Sequence, residues 1–408
     1  MKYDVIIIGA GPGGLFNALT IRNKKVMVLE KNDIPGKKIL ISGAGQCNYT
    51  NNCDLDNFLK SYGDKGRFLK PSLYNFTNKD SIEFFKKFGL ESITRDDNKV
   101  FPKSFNSKDI LNVLIEGCKE KGVELKYNCK VDRLGYDEYN KLFIVKTQEE
   151  SFACENLVIA TGGMSYPNTG STGDGYGFAE SLGHTIIAPK EALTPVYIKN
   201  YCFGDLSGIS FENIKISLYK SNKKVKDFTG DMLFTHSNLS GPVIINNSRY
   251  MDSKDILKIN FTSYKNEEEF RNYFENKISL SGKLKVKTIL KELNLPKRFI
   301  DKILGLSKID DDIICSQLPK QSRKKIIELL SNNKMTIEKL GGFHIAMVTK
   351  GGVATDEINS KTMESKIIKN LYFVGEVMDI DGNTGGFNLQ AAFSTGKLAA
   401  ENIIAKNS

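Results

Sequence analysis

The sequence predicts an α/β protein in which a doubly wound domain is assembled from both chain ends around an inserted β-plus-helical module. Three observations carry this. The chain opens on an apolar strand, a glycine-rich turn and an apolar helix, "YDVIIIGAGPGGLFNALTI". The spacing of apolar residues changes near residue 190 and again near 265. A strand of the opening type, "NLYFVGE" (370–376), then returns near the C-terminus and runs toward a helix. The doubly wound domain accordingly takes residues 1–189 and 341–408, a β module takes 190–264 and a helical module takes 265–340.

Each element follows from its pattern. Residues 3–8 read as a buried-type strand, apolar without a break from Val5 to Ile8; a helix is expected over 14–22 and a second strand over 25–31. Helices are expected over 81–89 and 107–121, the latter with Ile110, Val113, Leu114 and Cys118 on one face. "VELKYNCKVDRL" and "KLFIVKTQ" read as hairpin-related strands, and "NLVIATGG" (156–163) as another buried strand entering a glycine turn. After 190, "TPVYIKN", "NIKISLYK" and "DILKINFTS" alternate apolar and polar residues, the mark of an antiparallel sheet with one wet face. From 265, "EEEFRNYFENKI", "LKVKTILKEL", "RFIDKILGL" and "SRKKIIELL" are helical in period, and "NLQAAFSTGKLAAENIIA" is a closing helix.

Composition narrows the class. With 40% hydrophobic and 26% charged residues over 408 positions, the chain is an ordinary globular protein of more than one domain. The longest apolar stretch, Val5 to Leu19, contains a proline and four glycines and is too short to span a bilayer. Asp4 precedes it and no small-residue cleavage site follows, so a cytoplasmic protein without membrane association is expected. Seven cysteines without a C-x-x-C pair argue against disulfides and structural zinc, and three scattered histidines against another metal site. The net charge of +10 suits nucleic acid or an anionic cofactor. The lysines, as in "KSNKKVKDF", are nevertheless dispersed along the chain and not interleaved with aromatics, which reads as a solvated surface.

The chemistry begins at Gly9, Gly11 and Gly14, a G-x-G-x-x-G turn between strand and helix. The first glycine permits the turn, the second lets a pyrophosphate approach the backbone, and the third allows close helix–strand packing. The phosphate then sits at the positive end of the helix dipole. Glu30 follows 21 residues after Gly9, at the end of the second strand, where a carboxylate accepts hydrogen bonds from adenosine ribose hydroxyls. Later segments favour FAD over NAD. Ala160-Thr161-Gly162 resembles the second nucleotide-contacting strand of two-dinucleotide-binding flavoproteins. "NLYFVGE" resembles their third motif, which places Glu376 on the ribityl chain.

"GKKILISGAGQCNYTNN" (36–52) offers glycines, amides and the cations Lys37 and Lys38 to a pyrophosphate and flavin edge. Together with "GGMSYPNTGSTGDGYGFAESLG", "DMLFTHSNLSGPVI" and "GGVATDEINSKTMESK", it resembles a bacterial flavoprotein family that includes aminoacetone oxidase and bile-acid enone reductases. The resemblance runs along essentially the whole chain. It implies an FAD-binding Rossmann-like domain with a barrel-like β insert and a small helical part, and non-covalent FAD. Two positions depart from the family pattern: Gln46 stands where arginine is usual, and Ser237-Asn238 where an aromatic and a glycine precede L-S-G-P.

A helix N-terminus beside the flavin stabilises negative charge on the reduced ring. Gly386, Phe387 and Asn388 in "GGFNLQ" are the candidates, with Asn383 and Thr384 as ordinary capping types otherwise. The expected cofactor set is completed by Gly13, Lys31, Lys38, Gly43, Cys47, Asn48, Val131, Gln390 and Asp174, the last as either a hydroxyl ligand or a helix cap. His236 and Tyr166 are the candidate acid–base groups. The expected function is hydride exchange between flavin and a small organic substrate, with NAD(P)H as a transient donor. An aminoacetone-type oxidase using O2 is the rival; a tRNA-modifying flavoprotein ranks below both. Oligomeric state is open.

Overall fold

The computed structural model describes residues 2–406. It divides into two compact units, one formed by residues up to Ala192 and from Phe343 onward, the other by Leu193–Gly342.

The first unit is built on a seven-stranded sheet. Its order is Glu124–Lys126, Val26–Leu29, Lys2–Ile8, Ser151–Ile159, Leu142–Thr147 and Val131–Asp137, with Leu371–Phe373 also paired to Ser151–Ile159. The centre is parallel: Ile6 lies opposite Met27 on one side and Leu157 on the other, and Tyr372 opposite Val158. All four residues of Val26–Leu29 are buried, which is why these strands read as unbroken apolar runs. The sheet therefore joins strands from both chain ends. The expected Rossmann-type α/β fold is the fold observed.

The first helix spans Pro12–Thr20, two residues earlier than its apolar spacing suggests. Pro12 sets the reason: its fixed φ and missing N–H suit the first helical turn. The closing helix Phe387–Ala405 packs closely on it. A Cβ on Gly13 would sit 3.4 Å from the Ala392 oxygen, and one on Gly396 only 2.6 Å from the Gly13 oxygen. Asn17 Nδ2 donates to the Gly396 carbonyl at 2.8 Å across this seam. The helices Leu55–Lys60 and Gly66–Asn75 and the small sheet of Thr50–Asn51, Ser92–Thr94 and Lys99–Pro102 have no clear signal in the sequence. They are short and polar, with too few residues to establish a period.

The second unit carries a closed six-stranded barrel. Its strands run Val196–Ile198, Leu239–Ser240, Lys223–Phe234, Ser210–Lys220, Ile256–Asn260 and Asn333–Leu340, and the last pairs back to the first. Along Ser210–Lys220, Ile214, Ile216 and Leu218 are buried while Lys215 is exposed and Ser217 and Tyr219 are half-buried, the alternation expected of a barrel wall. Helices Glu267–Leu280, Val286–Lys291, Lys297–Leu306 and Lys320–Ser331 bury Phe270, Phe274, Phe299, Ile303 and Ile327 in the same core.

The expected helical module over 265–340 needs one correction. Its last eight residues, Asn333–Leu340, are a barrel strand, with Met335 opposite Leu257 and Lys339 opposite Tyr197. Asn333, Met335 and Ile337 are buried at period two, a short signal overshadowed by the apolar helix just before it. The boundary drawn at 189/190 likewise falls inside a strand, Ile186–Ala192, which pairs antiparallel with Val348–Val353 in the first unit.

Candidate functional site

The glycine turn leaves the first strand at Gly9, where φ is +103° and a Cβ would lie 2.5 Å from the Ala160 oxygen. Gly14 is equally committed, since its Cβ would come within 2.0 Å of the Gly9 oxygen. Gly11 is different. Its Cβ would meet no protein atom nearer than the Ala160 oxygen at 4.0 Å, so packing within the chain does not explain this glycine. Gly11 is also the N-cap of helix Pro12–Thr20, and no side chain caps it. An open glycine at an uncapped helix start fits a pyrophosphate, which supplies the acceptors that the first-turn N–H groups lack. Gly13, by contrast, faces the closing helix.

Glu30 is buried at the end of strand Val26–Leu29. Its Oε2 accepts from the Ala10 N–H at 2.9 Å, and Oε1 accepts from Asn32 N and Nδ2 at 2.9 and 2.8 Å. The carboxylate thus steadies the glycine turn and retains lone-pair capacity for ribose hydroxyls. Cys129 N donates to the Glu30 carbonyl at 2.9 Å, which brings Val131, at the start of its strand, into the same neighbourhood. Lys31 Nζ reaches Thr172 Oγ1 at 2.5 Å and Asp174 Oδ2 at 2.7 Å. Burial alone would raise the Asp174 carboxyl, but its bonds to Lys31 and Thr172 outweigh it and hold the group below the usual range. Asp174 opens helix Asp174–Ser181 without capping it through its side chain; Gly173 is the N-cap. Ala160 N donates to the Ile8 carbonyl at 2.9 Å, and Gly162 turns the chain at φ +73°. Between them the Thr161 hydroxyl is buried with no hydrogen-bond partner among the described residues and packs against Gly175, where a Cβ would come within 2.0 Å of it.

Glu376 joins four distant segments. Its Oε2 pairs with Lys38 Nζ at 2.8 Å, and its Oε1 accepts from Thr349 N at 2.8 Å and Ser165 Oγ at 3.0 Å. Lys38 Nζ also reaches Ser165 Oγ at 3.2 Å. Ser165 and Thr349 were not among the expected site residues, although Ser165 stands within "GGMSYPNTGSTGDGYGFAESLG". Nor was the pair Lys65–Asp379, with Asp379 Oδ1 accepting from Gly351 N at 3.1 Å. The acids of "DID" were the visible signal.

The loop 42–48 is unusual in its backbone: Gly43, Ala44, Gly45 and Cys47 all have positive φ. Such conformations cost energy in non-glycine residues and concentrate at binding sites. Asn48 Nδ2 braces the loop to the Thr50 and Val100 carbonyls, both at 2.9 Å. The Cys47 side chain is fully buried and desolvation pushes its thiol up to about 12, which keeps it protonated at neutral pH. Gln46 Oε1 accepts from Arg95 at 2.8 Å, and the Arg95 guanidinium lies 4.2 Å from the Phe101 ring centroid. A cation from another segment thus lies beside position 46.

This loop leads directly to the closing helix. Asn51 Nδ2 donates to the Gly385 carbonyl at 3.0 Å, and a Cβ on Gly386 would lie 2.3 Å from the Thr50 oxygen. Gly386, at φ +92°, is the N-cap of Phe387–Ala405, with no side-chain cap of its own. Asn388 clamps the preceding turn, accepting from Gly382 N at 2.8 Å and donating to the Gly382 oxygen at 3.0 Å. Phe387 is buried against Phe58, with ring centroids 4.7 Å apart. Gln390 needs a correction. Its amide is wholly buried and fully used inside the protein: Oε1 accepts from Thr50 and Ser81, and Nε2 donates to the Phe76 oxygen and Ser394 Oγ. It is a brace beneath the helix start, with no atom left for a cofactor.

Two helix starts with glycine N-caps and one open glycine thus occur in one unit. The geometry fits a dinucleotide, and the family match decides the assignment: the HI0933-like protein Rossmann domain matches residues 3–402. The chain belongs to this family. It is an FAD-dependent oxidoreductase of the HI0933-like type, as the motifs led one to expect. It is 31% identical over its full length, and 99% of the relative's, to a ribosomal RNA dihydrouridine synthase of Escherichia coli. It is 28% identical, over 96% of this chain and 97% of the relative, to a 3-dehydro-bile acid delta(4,6)-reductase of Clostridium scindens. Among solved structures, the fold resembles that of a 3-ketosteroid-delta4-(5alpha)-dehydrogenase from Rhodococcus jostii, with 13% identity, a TM-score of 0.50 and 99% and 97% of the two chains covered.

The two acid–base candidates fall in different units. Tyr166 is half-buried in the first unit and adopts φ +53°, its N–H donating to the Phe343 carbonyl at 2.8 Å. His236 is exposed in the second unit, between strands Lys223–Phe234 and Leu239–Ser240. Among the described residues no group of three or more His, Cys, Asp or Glu could hold a metal ion, and no helix is long and apolar enough to cross a membrane.

One consequence of the Glu30 geometry is directly measurable. Glu30→Ala should weaken FAD binding by about 1–3 kcal/mol, the usual worth of hydrogen bonds to a charged group. Titration of apo-protein with FAD checks it; unchanged affinity would remove Glu30 from the ribose site.

Proposed function

We propose that this family member reduces the C5=C6 double bond of a uridine in ribosomal RNA. The observation that carries the reading is the 31% identity sustained over the whole of both chains with a ribosomal RNA dihydrouridine synthase. This reading ranks RNA above the small organic substrate favoured by sequence alone. The chemistry also spans the second relative, named as a reductase. In a uracil or an enone the double bond is conjugated to a carbonyl, so hydride adds at the β-carbon and a proton at the α-carbon.

FAD, when bound, supplies the hydride equivalent, with NAD(P)H as the proposed source of electrons. Gly9, Gly11 and Gly14 would admit its pyrophosphate, Glu30 its ribose, and the Lys38–Glu376 pair its ribityl hydroxyls. The uncapped start of Phe387–Ala405 would offer backbone N–H groups to the developing negative charge of the ring. Tyr166 and His236 are the proposed proton donors, each with an O–H or N–H suited to general-acid work.

The test is to incubate purified holo-protein with NADH or NADPH and ribosomal RNA from cells lacking the gene, then digest the RNA and weigh its nucleosides. A uridine gaining two hydrogens is the expected result. Flavin that is bleached by NAD(P)H and reoxidised by a small enone, but leaves the RNA unchanged, would replace this reading with that of a small-molecule reductase.

A further inference from the structure

The positive charge of this protein is not shared between its two units. Leu193–Gly342 carries 26 of the 58 basic residues but only 17 of the 48 acidic ones, a net +9; the remainder carries 32 and 31, a net +1. Within that unit the charge is also partitioned. Several cations on or beside the helices are already paired: Lys277 with Glu292, Lys285 with Asp312, Lys287 with Asp301 and Asp311, Lys302 with Asp205, and Arg271 with Glu267.

The barrel wall is different. Ser217, Lys258 and Lys334 stand directly opposite one another on three adjacent strands, with Lys215 two residues along the first. Lys215 and Lys334 are exposed and Lys258 half-buried, and none of the three makes an ion pair among the described residues. Tyrosines lie beneath the barrel's lysines. Lys258 Nζ is 4.1 Å from the Tyr219 ring centroid and Lys339 Nζ 5.2 Å from that of Tyr197. Read along the chain, these lysines have no aromatic partners; the barrel register supplies them from neighbouring strands. Both rings are half-buried, so each presents an edge or face beside a cation.

We infer that this outer barrel wall, centred on Lys215, Lys258 and Lys334 and flanked by the Lys–Tyr pairs, is the surface that binds the RNA substrate. The inference rests on the ribosomal RNA reading above and adds the place of contact. Unpaired lysines on adjacent strands match a phosphate backbone, whose neutralisation releases counterions. Tyrosine rings beside them accept stacked, unpaired bases, as single-stranded segments of a folded RNA offer. Phosphate contacts of this kind fix position without reading sequence.

The experiment compares three full-length holo-proteins: the parent, the barrel variant Lys215→Glu/Lys258→Glu/Lys334→Glu, and the control Lys297→Glu/Lys308→Glu/Lys320→Glu. The control makes the same charge change at exposed lysines on the helices or, for Lys308, in the turn that follows Lys297–Leu306. Filter binding to deproteinised large-subunit ribosomal RNA is measured over a KCl series, with melting temperature and flavin reduction by NAD(P)H in parallel. The barrel variant should raise Kd at least tenfold and flatten the slope of log K against log[KCl] by about 2, three lost contacts at roughly 0.7 each. The control should shift Kd less than about twofold, with folding and flavin reduction unchanged in both; a glutamine version of the barrel variant covers the case in which glutamate unfolds it. Equal losses in both variants, or RNA binding and dihydrouridine formation at parental levels in the barrel variant, would overturn the surface while leaving the function standing. A parent that neither binds the RNA nor modifies it would overturn the function itself.

Discussion

Gly14→Val should fail to retain FAD and should unfold well before the parent. The Cβ would sit 2.0 Å from the Gly9 carbonyl oxygen and 3.2 Å from Ala160 Cβ. Both Gly9 contacts are backbone, so no rotamer change relieves them. Overpacking a well-packed core typically costs about 1–3 kcal/mol, and a clash with backbone that no rotamer relieves should exceed that, at about 4 kcal/mol or more. Gly11→Ala is the informative companion. Its Cβ would find no protein atom within contact distance, so stability should change by less than about 0.5 kcal/mol. If a pyrophosphate approaches there, FAD affinity should still fall more than tenfold. Thermal unfolding and FAD titration on the two variants separate folding from binding. A Gly11→Ala protein that binds FAD normally would remove the phosphate from this turn.

Gln390→Leu should destabilise the protein by about 3–5 kcal/mol without entering the cofactor site. The side chain joins Thr50 and Ser81 at 2.7 and 2.8 Å to the Phe76 carbonyl and Ser394 at 3.1 and 3.0 Å, all buried. Leucine has similar bulk and fills the volume, so the loss is one of hydrogen bonds. Ser394 keeps its own 2.7 Å bond to Phe76, but the Thr50 and Ser81 hydroxyls lose their acceptor. Each buried orphan costs about 1–3 kcal/mol. Denaturant unfolding measures the change; a loss under about 1 kcal/mol would show that the network is dispensable.

These two residues mark what could and could not be read along the chain. Gly14 announces itself because a strand, a turn and a helix lie within twenty residues, and the chemistry of the turn is local. Glu30 belongs to the same unit and follows from the same spacing. Gln390 sits in a motif whose glycines suggested a flavin contact, yet three of its four partners, Thr50, Ser81 and Phe76, come from more than 300 positions away. Arg95 beside Gln46 shows the same limit, as does Ser165, which meets Lys38 and Glu376 across 127 and 211 positions.

The sequence by itself determined the α/β class, the return of the sheet at the C-terminus and the glycine turn. Periodicity and turn chemistry act over a few residues, so each element carries its own signature. It also held the charge imbalance, since the excess of lysine can be counted within Leu193–Gly342. Only the tertiary structure decided which lysines stand unpaired, because an ion pair or a ring beneath a cation depends on strand register. The barrel placed Tyr219 under Lys258 and set Lys334 beside it, while helix packing neutralised cations of the same composition nearby. Register is a long-range property, fixed by barrel closure and not by any neighbour in sequence.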